Sequence, residues 1–125
     1  MSPSTPRPEG VALPKAPYSP VVVSGDLVHT AGQVGFDQQG ELVPGGIGAQ
    51  TRRALENLTA CLQAGGCELS DVLKVNVYLA DLGTFEGFNG VYREFFQEPY
   101  PARTTVDAAL PGSILVEIEA VARRA

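Results

Sequence analysis

The sequence has a single histidine, His29, and only two cysteines, Cys61 and Cys67, in 125 residues. A zinc site built from these alone is short of ligands. With no second histidine and no serine in a nucleophile-elbow setting, a hydrolase triad lacks its parts. There is no Cys-x-x-Cys motif. Cys61 falls on the apolar face of a predicted helix and Cys67 just past its end, so both read as reduced thiols. No run of Lys or Arg exceeds two residues and the net charge is −5. That leaves no electrostatic footprint for nucleic acid or an anionic membrane. The apolar stretches are far shorter than a membrane span. The first eight residues are rich in Pro and Ser and lack the apolar core of a secretory signal. These absences lead us to expect a soluble cytoplasmic protein without a metal site.

What is present is one globular domain's worth of chain, 44% hydrophobic and 18% charged. Residues 1–14 read as a flexible Pro-rich arm, and 15–125 as a single domain. Val21-Val22-Val23 and Leu27-Val28-His29-Thr30-Ala31 flank the turn Ser24-Gly25-Asp26, which predicts a β-hairpin. Glu41-Leu42-Val43 reads as a short strand. From Ile47 to Ala64 the period becomes helical, with Thr51, Ala54, Leu55, Leu58, Cys61 and Leu62 on one face and Gly65-Gly66 as the stop. Leu73 to Leu79 alternates as a strand. A second helix starts near Thr84, which is placed to cap it, and carries the aromatic stripe Phe85, Phe88, Tyr92, Phe95 and Phe96. Such a stripe reads as core. Gly90 inside this helix costs about 1 kcal/mol relative to alanine and points to a close backbone approach. Arg103–Asp107 and Ile114–Ala122 complete the strands. Two amphipathic helices against one face of a mixed sheet make an α+β sandwich.

Two charges interrupt the last strands. Arg103 and Glu119 each stand where burial is expected, at a cost of several kcal/mol unless paired or used. A structural ion pair of Arg103 with Asp107, Glu117 or Glu119 is one reading. The other is chemical: the Arg103 fork matches a carboxylate, and Glu119 can position water or exchange a proton, worth about 10²–10⁴ in rate. Tyr18 supplies a hydroxyl where the arm meets the domain. The second face of the sheet, with Leu115, Glu117, Glu119 and Val121 beside Lys74, Asn76 and Tyr78, is half apolar and half polar. It suits a subunit interface, so a homo-oligomer is expected.

An ordered set of segments carries a resemblance. They are Ala16-Pro17-Tyr18-Ser19-Pro20, Gly25-Asp26-Leu27 through Ala31-Gly32-Gln33, Gln50-Thr51-Arg52, Val75-Asn76-Val77-Tyr78-Leu79, Phe88-Asn89 through Phe95-Phe96, Pro101-Ala102-Arg103, and Val116-Glu117-Ile118-Glu119-Ala120. With these the chain resembles the Rid (reactive intermediate deaminase) family, also called the YjgF family, from about residue 15 onward. The resemblance implies a chorismate-mutase-like α+β fold and a homotrimer with ligand sites in clefts between subunits. It implies that Arg103 binds a substrate carboxylate, that Glu119 activates water, that Tyr18 closes the pocket, and that Gly32, Asn89 and Thr105 contact the ligand. The implied reaction is hydrolysis of 2-aminoacrylate-type enamine/imine intermediates to 2-keto acids and ammonia, without cofactor. Two positions depart from many characterised deaminases: Ala31 stands where they have Ser, and Thr105 where they have Cys. A non-catalytic carboxylate- or keto-acid-binding regulatory module is the alternative. An endoribonuclease or translation inhibitor is opposed by the acidic charge.

Overall fold

Ser24-Gly25-Asp26 reverses the chain because Gly25 adopts a φ of +61°, a conformation without steric cost for glycine. The resulting hairpin opens the fold. The computed structural model describes residues 2–125. Its strands are β1 (Val21–Ser24), β2 (Leu27–Thr30), β3 (Val72–Leu79), β4 (Ala102–Asp107) and β5 (Val116–Arg123); its helices are α1 (Gly46–Ala64) and α2 (Phe85–Phe95). One sheet forms in the order β1-β2-β5-β3-β4. β3 and β4 run parallel, since α2 carries the chain back between them, and the other pairs are antiparallel. Both helices pack on the sheet as the periodicity predicts. Leu55, Leu58 and Leu62 of α1 and Phe88 of α2 meet Val77 and Ile118 with no exposed surface. Burying one such side chain contributes about 1.5–3 kcal/mol.

Several local expectations are corrected. Glu41–Val43 makes only a single bridge, Phe36 to Leu42. The Asp37 carboxylate accepts from the backbone N–H groups of Gln39 (2.9 Å) and Glu41 (3.0 Å), so local turn bonds replace a ladder. Thr84 does not cap α2 with its side chain. Its hydroxyl instead donates to Asp81 O at 2.7 Å, while Asp81 caps the preceding 3₁₀ turn by accepting from Gly83 N–H at 2.8 Å. A Cβ at Gly90 would meet nothing within 4 Å, so no close approach requires that glycine. The Pro-rich segment before the domain makes two sets of contacts with it. Ser4 exchanges two backbone bonds with Val23 (2.9 and 2.8 Å), and Gly10 O accepts from Arg53 Nη2 at 2.9 Å.

The segment between β2 and α1 is pinned from both sides. Gln33 exchanges backbone bonds with Ile118 of β5 (2.8 and 2.9 Å). Asn57 of α1, buried, donates through Nδ2 to Val34 O (3.0 Å) and Phe36 O (2.9 Å). Gln50 likewise donates to Ser113 O (3.2 Å) and accepts from Leu115 N–H (2.8 Å), fixing the entry to β5. These bonds hold the backbone around Gly32 against β5. Asn57→Ala removes the shared donor of two carbonyls, and we expect a loss of about 1–3 kcal/mol in urea unfolding. A loss within error of zero would mean that the Gln33–Ile118 pair holds the segment unaided.

Candidate active site

Residues paired across adjacent strands share a face, so the register decides which functional side chains can meet. Arg103 on β4 is level with Val75 on β3, and Val75 is level with Ala120 on β5. Val75, Val77, Ile118 and Ala120 are buried beneath the helices, so Arg103 and Thr105 belong to that covered face. Asn76 is level with Glu119, and Tyr78 with Glu117. Those four side chains are on the opposite face. In one chain, therefore, Arg103 and the two glutamates stand on opposite sides of the sheet.

On the open face, Glu119 accepts hydrogen bonds from Asn76 Nδ2 and Tyr78 Oη, both at 3.3 Å. Glu117 instead faces the segment after β2. A Cβ on Gly32 would fall on the Glu117 carboxylate, so only glycine lets that carboxylate lie against the backbone. Gly32, Tyr18 and Glu117 line one broad cleft together with residues 11–15. Ala31 lines it too. Burial raises the Glu117 carboxyl pKa above the ordinary carboxylate range, and the nearby Glu119 charge adds to the rise. Tyr78 is likewise pushed up, by burial first and then by the two glutamates.

On the covered face, the Arg103 guanidinium carbon lies 4.7 Å from the Tyr92 ring centroid, 5.4 Å from that of Phe88 and 5.7 Å from that of Phe85. The ion pair open to Arg103 from its sequence is not formed. Among the described residues the ion pairs are Arg52–Glu94 (3.0 Å) and Arg123–Asp26 (2.9 Å). Arg103, Asn89, Tyr92 and Tyr100 line a second pocket of about 290 Å³, at the small end of ligand sites. The Thr105 hydroxyl, two residues along the same face, is buried without a hydrogen-bond partner.

Six residues were singled out from the sequence, and the chain distributes them over two places. Tyr18 and Gly32 share the broad cleft, and Glu119 stands on the same open face, tied to Asn76 and Tyr78. Asn89 and Arg103 share the small pocket, with Thr105 nearby. Glu117 was missed as a site residue. Strand alternation puts both glutamates of Glu117-Ile118-Glu119 on one face, and nothing in that pattern says which is nearer to Gly32. Among the described residues, no group of three or more His, Cys, Asp or Glu could hold a metal ion, and no helix is long and apolar enough to cross a membrane.

The family described as Endoribonuclease L-PSP matches residues 9–124. The chain belongs to this family, the Rid/YjgF family. Among Rid/YjgF relatives, a RutC family protein of Pyrococcus horikoshii is 46% identical over 91% of this chain and 92% of its own length. The 2-iminobutanoate/2-iminopropanoate deaminase of Bos taurus is 43% identical over 85% of this chain and 79% of its own. Of solved structures, RidA from an Antarctic Psychrobacter matches with a TM-score of 0.90 at 38% identity, covering 96% of this chain and 98% of that one. E. coli TdcF with bound serine matches with a TM-score of 0.90 at 35% identity, covering 98% and 99%.

The raised Glu117 pKa has a definite sign. Ionising Glu117 opposes folding, so its contribution to stability is present at acid pH and lost as pH rises through its folded-state pKa. Glu117→Gln should therefore stabilise the protein near neutral pH, and far less at about pH 3.5, in urea titrations. In carboxyl NMR titrations, Glu119→Gln should lower the Glu117 midpoint but leave it above the ordinary range, since burial remains. An unchanged midpoint would show that the two carboxylates do not sense each other.

Proposed function

We propose that the protein is an enamine/imine deaminase that hydrolyses 2-imino acids to 2-keto acids and ammonia, at sites shared between the subunits of a homotrimer. The observation that carries this reading is the state of Arg103. Its guanidinium rests on aromatic faces and has no carboxylate partner among the described residues, so its charge is available to a substrate carboxylate. The curated relatives named as 2-iminobutanoate/2-iminopropanoate deaminases, at about 40–45% identity, support the same chemistry.

The reaction needs a small acid held still beside a polarised water. Arg103 takes the substrate carboxylate through its planar fork, a charge-assisted contact worth about 1.5–3 kcal/mol. Asn89 and the Thr105 hydroxyl offer further polar contacts around it. Water adds to the imine carbon and gives up a proton, the imine nitrogen gains protons, and the C–N bond of the resulting carbinolamine breaks to release ammonia and the keto acid. Glu117 is the carboxylate that faces the water in this reading, because it borders Gly32 and Tyr18. Its raised pKa brings it closer to the range where it can both accept and return a proton. Glu119, held by Asn76 and Tyr78, acts beside it by keeping that pKa high. Tyr18, half exposed at the mouth of the cleft, closes the pocket over the ligand.

The opposite-face placement of Arg103 and Glu117 is the reason for invoking two subunits. One copy contributes Arg103, Asn89 and Thr105, and its neighbour contributes Glu117, Gly32 and Tyr18. The half-apolar open face of the sheet, with Leu73 and Val106 exposed, supports burial against other copies. Ribonuclease activity, which the family description names, has less support: with a net charge of −5 the chain offers an RNA backbone little attraction.

Ammonia release from enzymatically generated 2-aminoacrylate tests the reading. Arg103→Ala and Glu117→Gln should each abolish the acceleration while the oligomer persists. Equal mixtures of the two variants, co-refolded, should regain about one quarter of wild-type activity, because random assembly pairs an intact Arg103 with an intact Glu117 at that frequency. An active Arg103→Ala protein would refute the substrate assignment. Two inactive variants that never complement would refute the shared site.

A further inference from the structure

We propose that Tyr92 is a positioning residue for Arg103, its ring holding the guanidinium in place for a carboxylate without neutralising it. The inference rests on the reading of Arg103 as the carboxylate-binding group. It converts part of the aromatic stripe, legible in the sequence only as core, into a support for the site.

The geometry is specific. Three rings approach the Arg103 guanidinium within the range of cation–π attraction, and Tyr92 is nearest at 4.7 Å. Tyr92 cannot easily turn away, since Phe96 stacks on it at 4.6 Å and Phe88 tilts against it at 5.5 Å. The ring is 4% exposed and lines the same small pocket as Arg103 and Asn89. Its hydroxyl is buried and makes no well-aligned hydrogen bond. Arg103 acts on it through its charge and a poorly aligned hydrogen bond, both weaker than the effect of burial, so the ring faces are the main bed of the arginine. Burial also pushes the Tyr92 phenol pKa up, against a smaller opposing effect of Arg103. The phenol is therefore neutral, and the contact is not an ion pair.

The choice of an aromatic bed has a chemical consequence. A carboxylate beside Arg103 would orient it equally well, but would compete with the substrate carboxylate for the same N–H donors. A ring face attracts the cation and occupies none of the donors in the guanidinium plane. The long side chain then loses little further freedom when the substrate arrives. Arg103 is thus ordered without a carboxylate partner among the described residues.

A fluorination series separates this role from packing, because each added fluorine weakens the negative ring face while the ring keeps nearly the same size. Tyr92→Phe is the reference, followed by Tyr92→4-fluorophenylalanine, Tyr92→3,5-difluorophenylalanine and Tyr92→pentafluorophenylalanine. The Kd of 2-oxobutanoate by calorimetry and the KM for the imine should rise stepwise, by about 3- to 30-fold across the series. Over the same series kcat should change much less, and the thermal midpoint should not follow the fluorine count. Affinity that ignores fluorination, while Arg103→Ala abolishes 2-oxobutanoate binding, would overturn the role of Tyr92 and leave the deaminase reading standing. Full binding and turnover by Arg103→Ala would remove the basis of both.

Discussion

Neighbouring residues on a strand must point to opposite faces, and the chemistry of this protein follows from where that alternation falls on β3, β4 and β5. The register Val75–Arg103 and Val75–Ala120 puts Arg103 with the residues that the helices cover. The register Asn76–Glu119 and Tyr78–Glu117 puts both carboxylates on the other side. A shift of one residue on β4 alone would move Arg103 to the carboxylate face and invite an ion pair within the chain. As built, the sheet itself keeps the cation from the anions, and each is left free for a ligand or for another copy.

The two charges are made tolerable by different means. Arg103 rests on the π faces of α2, which attract a cation without discharging it. Glu117 lies in the space that a side chain at Gly32 would otherwise take, beside a backbone pinned by Gln33, Asn57 and Gln50. Its carboxyl is shifted upward by burial and by Glu119. Neither arrangement is the most stable choice locally. An apolar residue at either position would avoid the desolvation cost. Their presence makes sense when the small pocket of one copy and the broad cleft of another form one site.

Most of the fold was legible because its elements have strong periods. The alternation from Val75 to Leu79 and the helical face from Thr51 to Leu62 are burial patterns that a linear sequence displays directly. The stop after Ala64 rests on the left-handed conformation open to Gly66. Leu73, read on the face of Val75, is instead exposed beyond a register shift between Val72 and Lys74. The misses were local competitions that periodicity does not report. Asp37 captured the Glu41 N–H that a strand at Glu41–Val43 would have used, together with that of Gln39 in the turn before it. Thr84 gave its hydroxyl to Asp81 O and left α2 without a side-chain cap, while Asp81 capped the 3₁₀ turn before it. Tyr92 was read correctly as buried and incompletely as core, since spacing identifies a helix face but not what lies on it.

The sequence by itself determined the helices and main strands, the one-sided helix packing and the candidate residues Arg103, Glu119, Tyr18, Gly32, Asn89 and Thr105. These follow from local periodicity and from motifs, both readable along a line. Only the tertiary structure decided that Arg103 and the glutamates face apart, that Glu117 rather than Glu119 lies against Gly32, and that aromatic rings rather than carboxylates hold Arg103. Those facts depend on strand register and on the distance of closest approach between segments about 85 residues apart, such as Gly32 and Glu117. No local pattern encodes such distances, because they arise only when the sheet closes and the helices settle on it.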